Sequence, residues 1–120
     1  MPAKKKTEET KTNEFAFIDF NDQFGNDDLK INLSGRLYPP KENKGIKRSY
    51  LSLTVNGLLT ISGCYFVETS NNYFVTFPQY TVEKDGKKEY KSYIYVGKDT
   101  FFSECLEQLA EVLIALSAKF

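Results

Sequence analysis

The sequence predicts an α+β domain: an antiparallel β-sheet of five to seven strands, arranged as a meander with hairpins, followed by one C-terminal amphipathic α-helix. Three observations predict this fold. Much of the chain alternates apolar and polar residues with a period of two, as strands do. The dipeptides Asn56-Gly57 and Asp85-Gly86 tolerate the positive φ that tight hairpin turns need. After Val96 the apolar period lengthens to that of a helix.

Residues 29–38 form the clearest predicted strand, because Leu29, Ile31 and Leu33 begin a ten-residue alternation with polar or basic neighbours. Pro39-Pro40 ends it, since proline cannot donate to a ladder of backbone hydrogen bonds. Residues 21–28 are predicted as a loop, and the basic residues 41–48 as a mobile loop of the kind that carries binding residues. The other predicted strands are residues 15–20, 50–55, 58–68, 73–77, 79–83 and 88–96.

The helix is predicted from about Thr100 to Ser117, with Asp99 or Thr100 as its N-cap and acidic residues in its first turn. Its apolar positions have the i, i+3, i+4, i+7 spacing of an amphipathic helix. They are Phe102, Cys105, Leu106, Leu109, Leu113 and Leu116. Further apolar residues, such as Phe101 and Ile114, widen this surface beyond one stripe. We therefore expect part of the helix to pack against a second copy in a homodimer.

Composition limits the possible functions. A chain of 120 residues with 41% hydrophobic content suits one domain, predicted over residues 14–120, behind a disordered polar tail at residues 1–13. The chain has no histidine, which excludes Ser-His and Cys-His nucleophile pairs and His-liganded zinc. No other catalytic, cofactor-binding or metal-binding pattern stands out. We therefore expect a protein that is not an enzyme and needs no cofactor or metal.

The cysteines and the N-terminal residues bear on the compartment. Cys64 and Cys105 lie far apart and belong to no CxxC motif, so we expect two buried small hydrophobic side chains in a reducing compartment. The alternative is a single disulfide, which the absence of a signal peptide disfavours. Lys4-Lys5-Lys6 is followed by Thr7-Glu8-Glu9 where a signal peptide needs an apolar run. No apolar stretch is long enough to span a membrane, so we expect a cytoplasmic location.

The charge distribution points to a polyanionic partner. The chain sums to zero, but residues 30–50 carry a net charge of +5 and residues 99–120 a net charge of −3. Basic residues interleaved with tyrosines on sheet strands are typical of single-stranded nucleic-acid binding, since exposed rings stack on unpaired bases and cations hold phosphates. The predicted binding residues are Lys30, Arg36, Tyr38, Lys44, Lys47, Arg48, Lys91, Tyr93 and Tyr95. Of these, Lys91, Tyr93 and Tyr95 are predicted to share one face of the last strand.

Two alternatives remain open. Each tyrosine could simply be a half-buried strand residue that packs across strands. The zero net charge also argues against a nucleic-acid partner, because domains that bind nucleic acid are usually basic. The alternative function is a small protein-interaction or inhibitor module, of phage or mobile-element type, that uses its acidic helix or a strand edge.

Several motifs between residues 61 and about 109 occur together: Tyr65-Phe66-Val67, the run from Asn71 to Pro78, Asp85-Gly86-Lys87 and then the helix. In this order they resemble the stage V sporulation protein G family of septation regulators. The resemblance implies a small dimeric regulator that binds nucleic acid. Gln79-Tyr80 stand where that family usually has Ser and a basic residue, so the family's DNA contacts are not carried over. The strand-then-helix order is also similar to coactivator-like single-stranded DNA-binding folds, in architecture alone.

Overall fold

A computed structural model describes residues 16–120 as eight strands and one helix. The elements are β1 (Ile18–Gly25), β2 (Lys30–Leu37), β3 (Lys41–Asn43), β4 (Ile46–Val55), β5 (Leu59–Glu68), β6 (Tyr73–Thr76), β7 (Gln79–Lys84), β8 (Lys87–Ser92) and α1 (Phe101–Ser117). The predicted antiparallel sheet with one C-terminal helix is confirmed. The predicted tail at residues 1–13 lies outside the described residues.

The strands form two sheets rather than one. Six strands make the main sheet, in the order β1-β2-β4-β5-β6, with β3 paired to the first residues of β4. The remaining hairpin, β7-β8, is a separate two-stranded sheet. Every pairing is antiparallel and joins strands that follow closely along the chain, so the meander comes from a series of local hairpins.

The main sheet curls around the helix, which contacts the strands at both edges, β1 and β6. One face of the sheet and one face of α1 therefore enclose a single core. Its fully buried members include Leu33, Leu51 and Phe66 from the sheet and Leu109 and Leu113 from the helix. We call the opposite, solvent-facing side of the main sheet the outer face.

The helix begins where the sequence predicted. Thr100 is the N-cap, and its hydroxyl accepts a hydrogen bond from the backbone N–H of Ser103 at 3.2 Å. The Ser103 hydroxyl in turn accepts from the N–H of Thr100 at 3.0 Å, which completes a capping box. The wide apolar surface of the helix is explained by the curl of the sheet. The residues beyond the main stripe pack against the core and are partly buried: Phe101, Val112 and Ile114. The homodimer stays a prediction.

Three strand predictions were wrong in detail. The first strand is shifted, because it runs over Ile18–Gly25 and includes most of the predicted loop. The predicted loop at residues 41–48 is a tight hairpin, whose turn residues Lys44 and Gly45 have φ of 55° and 81°. The last strand ends at Ser92, so Tyr93 and Tyr95 do not lie on a strand with Lys91. Here Tyr93 instead donates its N–H to the carbonyl of Pro78 at 3.1 Å.

A β-bulge in β5 determines which residues reach the outer face. Leu53 pairs with Ile61, but Leu51 pairs with Cys64, so β5 holds one extra residue at Ser62-Gly63. Because side chains alternate along a strand, the extra residue reverses the facing of the rest of β5. As a result Cys64 and Phe66 point into the core, and Tyr65 points outward opposite Tyr50.

Both cysteines are buried in the core and unpaired. Burial raises the pKa of the Cys64 thiol from 9.0 to about 11. The pKa of Cys105 is also raised, first by burial and then by the nearby charge of Glu104. The described chain contains no helix long and apolar enough to cross a bilayer.

Candidate nucleic-acid interface

Four aromatic rings form a continuous row across the outer face, which we call the aromatic ladder. The members are Phe17, Tyr38, Tyr50 and Tyr65, from the residue before β1, the residue after β2, and strands β4 and β5. Successive ring centroids lie 5.8, 5.5 and 5.8 Å apart, with planes inclined by 50°, 64° and 88°. These tilted and edge-to-face contacts are the geometry that aromatic pairs prefer.

Much of the ladder stays open to solvent. Tyr50 and Tyr65 keep 37% and 40% of their surface exposed. These rings pack edge to face along the row, and part of each ring stays accessible to a ligand. The backbone supports this arrangement, since the N–H of Tyr38 bonds the carbonyl of Tyr50 at 2.9 Å and continues the β2-β4 pairing past the end of β2.

Two cations lie next to the ladder. Lys41 in β3 is directly opposite Arg48 in β4, on the outer face. Like charges at directly opposite positions destabilise a strand pair. Among residues 16–120, neither Lys41 nor Arg48 forms an ion pair that would offset this repulsion. We call these two residues the basic pair.

A third cation lies on the other side of the row. The guanidinium of Arg36 is 4.3 Å from the ring centroid of Phe17, a cation–π contact, and its Nε is 3.4 Å from a carboxylate oxygen of Asp19. Both side chains of this ion pair are largely exposed, so the pair is weak and Arg36 keeps donors for a ligand.

The ladder and the basic pair border one hollow of about 730 Å³. Tyr38, Tyr50 and Tyr65 line one side, and Pro39, Pro40, Lys41 and Arg48 complete it. A second hollow of about 660 Å³ lies between the outer face and the β7-β8 hairpin, and Arg48 and Tyr65 line this one as well. The two hollows therefore adjoin on the outer face.

Three of the nine residues predicted from the sequence lie in this region: Arg36, Tyr38 and Arg48. Lys30 is at the far end of β2, roughly 26 Å from Tyr38 at ~3.3 Å per residue, and its Nζ donates to the carbonyl of Asn26. Lys44 is in the β3-β4 turn. Lys47 points to the side opposite Arg48, between Glu42 and Glu68 on the neighbouring strands.

The remaining predicted residues belong to the hairpin and the segment after it. The Nζ of Lys91 is 3.9 Å from a carboxylate oxygen of Glu89. Tyr93 packs against Tyr80 with ring centroids 4.7 Å apart and ring planes inclined by 45°. Tyr95 is 91% exposed and borders a different groove, between β6 and the helix. These three residues are not brought together with the ladder.

Sequence reasoning missed four members of the site: Phe17, Lys41, Tyr50 and Tyr65. A signal existed for Tyr50, which begins a predicted strand on its polar side, in the same phase as Ser52 and Thr54. Tyr65 gave no such signal, because only the bulge at Ser62-Gly63 turns it outward. In the described chain, no group of three or more Cys, Asp or Glu side chains is placed to hold a metal ion.

Comparison with protein-family models, with curated proteins and with solved structures found no match to this chain. The resemblance to septation regulators stays a prediction.

Proposed function

We propose that this protein binds single-stranded nucleic acid along the outer face of its main sheet. The observation that carries the proposal is the aromatic ladder, open to solvent and bordered by the basic pair Lys41 and Arg48. Stacking of a base on an aromatic ring contributes about 1–3 kcal/mol and requires no particular sequence. The rings give the surface affinity for bases, and the cations give it affinity for the backbone.

The electrostatics support an anionic ligand. Placing Lys41 directly opposite Arg48 costs stability in the free protein, and no acidic side chain among the described residues compensates. A phosphate between them would turn this repulsion into two favourable contacts. A local cationic surface is enough to attract a phosphate, even in a chain of zero net charge. At physiological salt, screening limits the range over which exposed charges interact to about 8–10 Å, so distant acidic residues have little effect.

The form of the site favours unpaired strands over a duplex. Rings that lie in one row on a sheet can stack only on bases whose faces are accessible. In a duplex those faces are covered by neighbouring base pairs, and only phosphates and groove edges remain. We therefore expect the protein to bind a duplex through the cations alone. This binding should be weaker than binding to a single strand and should be seen only at low salt.

Fluorescence anisotropy with labelled oligo-dT and with a labelled duplex of the same length tests the proposal. Tyr38→Ala and Tyr65→Ala should each weaken oligo-dT binding about fivefold or more, as expected for one lost stacking contact. Tyr73→Ala is the matched control, because Tyr73 is 37% exposed, like Tyr50, but packs against Phe66 on the opposite face. Circular dichroism confirms that each variant is folded. If the wild type does not bind oligo-dT at low salt, or if both ladder variants bind as tightly as wild type, the proposal is wrong.

A second candidate function is recognition of an extended peptide, and the edge of β6 favours it. On the side away from β5, the backbone of β6 has no strand partner among the described residues. A groove of about 430 Å³ runs along this edge, lined by Phe77, Leu106 and Ala110 and by the acidic Glu107. An added strand could pair with β6 there. Leu106→Arg should abolish binding of such a partner and leave oligo-dT binding unchanged, whereas the ladder variants should do the opposite.

A further inference from the structure

We propose that the β7-β8 hairpin is the second wall of the nucleic-acid site, and that one unpaired base is held between Tyr65 and Tyr90. This inference rests on the proposed function and adds a second side to the binding site, so that the outer face and the hairpin together form a two-sided clamp. Tyr65 stands on the outer face, and Tyr90 stands on β8 across the cleft of about 660 Å³. The cleft size falls within the range of about 300–1,000 Å³ that is typical of small-molecule sites.

The position of Val67 supports a cleft that is more than open surface. Val67 follows Phe66 in β5 and points to the outer face, away from the core, yet it is only 6% exposed. It is absent from the core cluster between sheet and helix. Phe74, Gln79 and Tyr90 line the same cleft as Val67. Phe74 lies directly opposite Val67 on β6, so these two residues give the cleft an apolar floor, and Gln79 and Tyr90 lie on its hairpin side.

The cleft also has the polar groups that a base and its phosphate need. Arg48 lines both the cleft and the hollow along the ladder. Its side chain can therefore contact the phosphate backbone of a bound nucleic acid where that nucleic acid passes from the hollow into the cleft. Gln79 offers an amide donor and acceptor at the rim. Tyr90 is 70% exposed, which leaves most of its ring available for stacking.

The hairpin is attached to the domain mainly at its base. It makes little contact with the main sheet or the helix, while the tilted ring contact between Tyr80 and Tyr93 and the Tyr93–Pro78 backbone hydrogen bond hold its two ends together. A base inserted beside Tyr65 would meet the hairpin without any change in the main sheet.

A tryptophan reporter tests this placement, because the natural chain has no tryptophan. In Tyr90→Trp, we expect oligo-dT to quench the tryptophan fluorescence with the same midpoint as the anisotropy titration. The matched control is Tyr95→Trp, because Tyr95 is 91% exposed and borders the groove beside β6 rather than the cleft; its fluorescence should stay nearly constant. Tyr90→Ala should weaken oligo-dT binding about fivefold or more, and Tyr90→Phe should retain it.

The outcomes separate the two proposals. If wild type binds oligo-dT and depends on Tyr65, but Tyr90→Trp is not quenched and Tyr90→Ala binds with full affinity, the clamp is wrong and the ladder function stands. If wild type does not bind oligo-dT at low salt, both are wrong. Because Tyr90 is largely exposed, its variants should fold, and matching circular dichroism spectra verify this.

Discussion

The hydroxyl of Tyr50 accepts a hydrogen bond from the backbone N–H of Gly63 at 3.1 Å. Gly63 belongs to the bulge of β5, where the regular ladder of backbone hydrogen bonds is interrupted. Tyr50, a member of the aromatic ladder, thus provides an acceptor for a backbone N–H of the bulge. The same bulge turns Tyr65 outward to contact the ring of Tyr50 at 5.8 Å, so the two features depend on each other.

The first prediction follows from this hydrogen bond. Tyr50→Phe keeps the ring but leaves the Gly63 N–H without its acceptor, so the free energy of unfolding should fall by about 0.5–1.5 kcal/mol. Urea denaturation measures this loss. Tyr95→Phe is the control, because no hydrogen bond joins its hydroxyl to the described residues, and its stability should match wild type. Equal stability of Tyr50→Phe and wild type would contradict the role assigned to the hydroxyl.

The second prediction concerns the close contact between β2 and β4 at Gly35. A Cβ on Gly35 would collide with the carbonyl of Ser52 and lie 3.2 Å from the ring of Phe20, at a φ of +156°. Gly35→Ala should therefore lower the free energy of unfolding by about 1–3 kcal/mol, as overpacking does. Gly45→Ala is the control for backbone strain without a steric collision. Gly45 has a φ of +81°, but no described atom lies within 4 Å of the position that its Cβ would take. The loss in urea denaturation should be larger for Gly35→Ala.

The third prediction is a dependence of stability on alkaline pH. Burial raises the pKa of Cys64 from 9.0 in the unfolded chain to about 11 in the folded protein. The folded state therefore favours the neutral thiol, and its contribution is fully present below pH 9 and is lost as the pH rises through 11. Under reducing conditions, wild type should lose stability more steeply as the pH rises from 9.0 to about 11 than Cys64→Ala, which lacks this thiol. The two proteins are otherwise identical, so every other contribution cancels in the comparison; parallel curves would show that the Cys64 thiol is not responsible.

The fourth prediction is the salt dependence of oligo-dT binding. If Arg36, Lys41 and Arg48 each neutralise a phosphate, the slope of log K against log salt should be near −2, from about 0.7 per contact. Replacing Lys41 and Arg48 with Ala should bring the slope to about −0.7. Lys98→Ala with Lys119→Ala removes the same charge away from the outer face and should leave the slope unchanged. An unchanged slope in the first double variant would place the phosphate contacts elsewhere.

Much of the fold could be predicted from local signals. The turns at Asn56-Gly57 and Asp85-Gly86 were predicted because few dipeptides accept positive φ at both positions, and the structure gives φ of 53° and 66° at the first turn and 54° and 75° at the second. The helix start was predicted within one residue because a capping threonine is a strong signal. These features depend on neighbouring residues alone.

What the sequence did not reveal depends on pairing. Asn21, Asp22 and Gln23 have low strand propensity, yet they lie in β1 because β2 supplies a complete register of partners. The short β3 likewise exists because β4 extends beyond β2 and offers Lys47 and Arg48 as partners. To predict the aromatic ladder, two features of strand register would have to be known together. They are the pairing of Tyr38 with Tyr50 and the bulge that aligns Tyr65 with Tyr50. Neither leaves a local signal in composition or period.

The contact between Gln108 and Gly25 has a consequence for how this protein behaves in concentrated solution. The side-chain amide of Gln108 accepts from the N–H of Gly25 at 3.0 Å and donates to its carbonyl at 3.3 Å, as a neighbouring strand would. Since β1 is an edge strand, its outward backbone groups could otherwise recruit the edge of another molecule. By occupying one such pair of groups, a helix side chain reduces the length of edge that is open to self-association. We therefore expect resistance to edge-to-edge association to depend partly on a glutamine that lies outside the sheet.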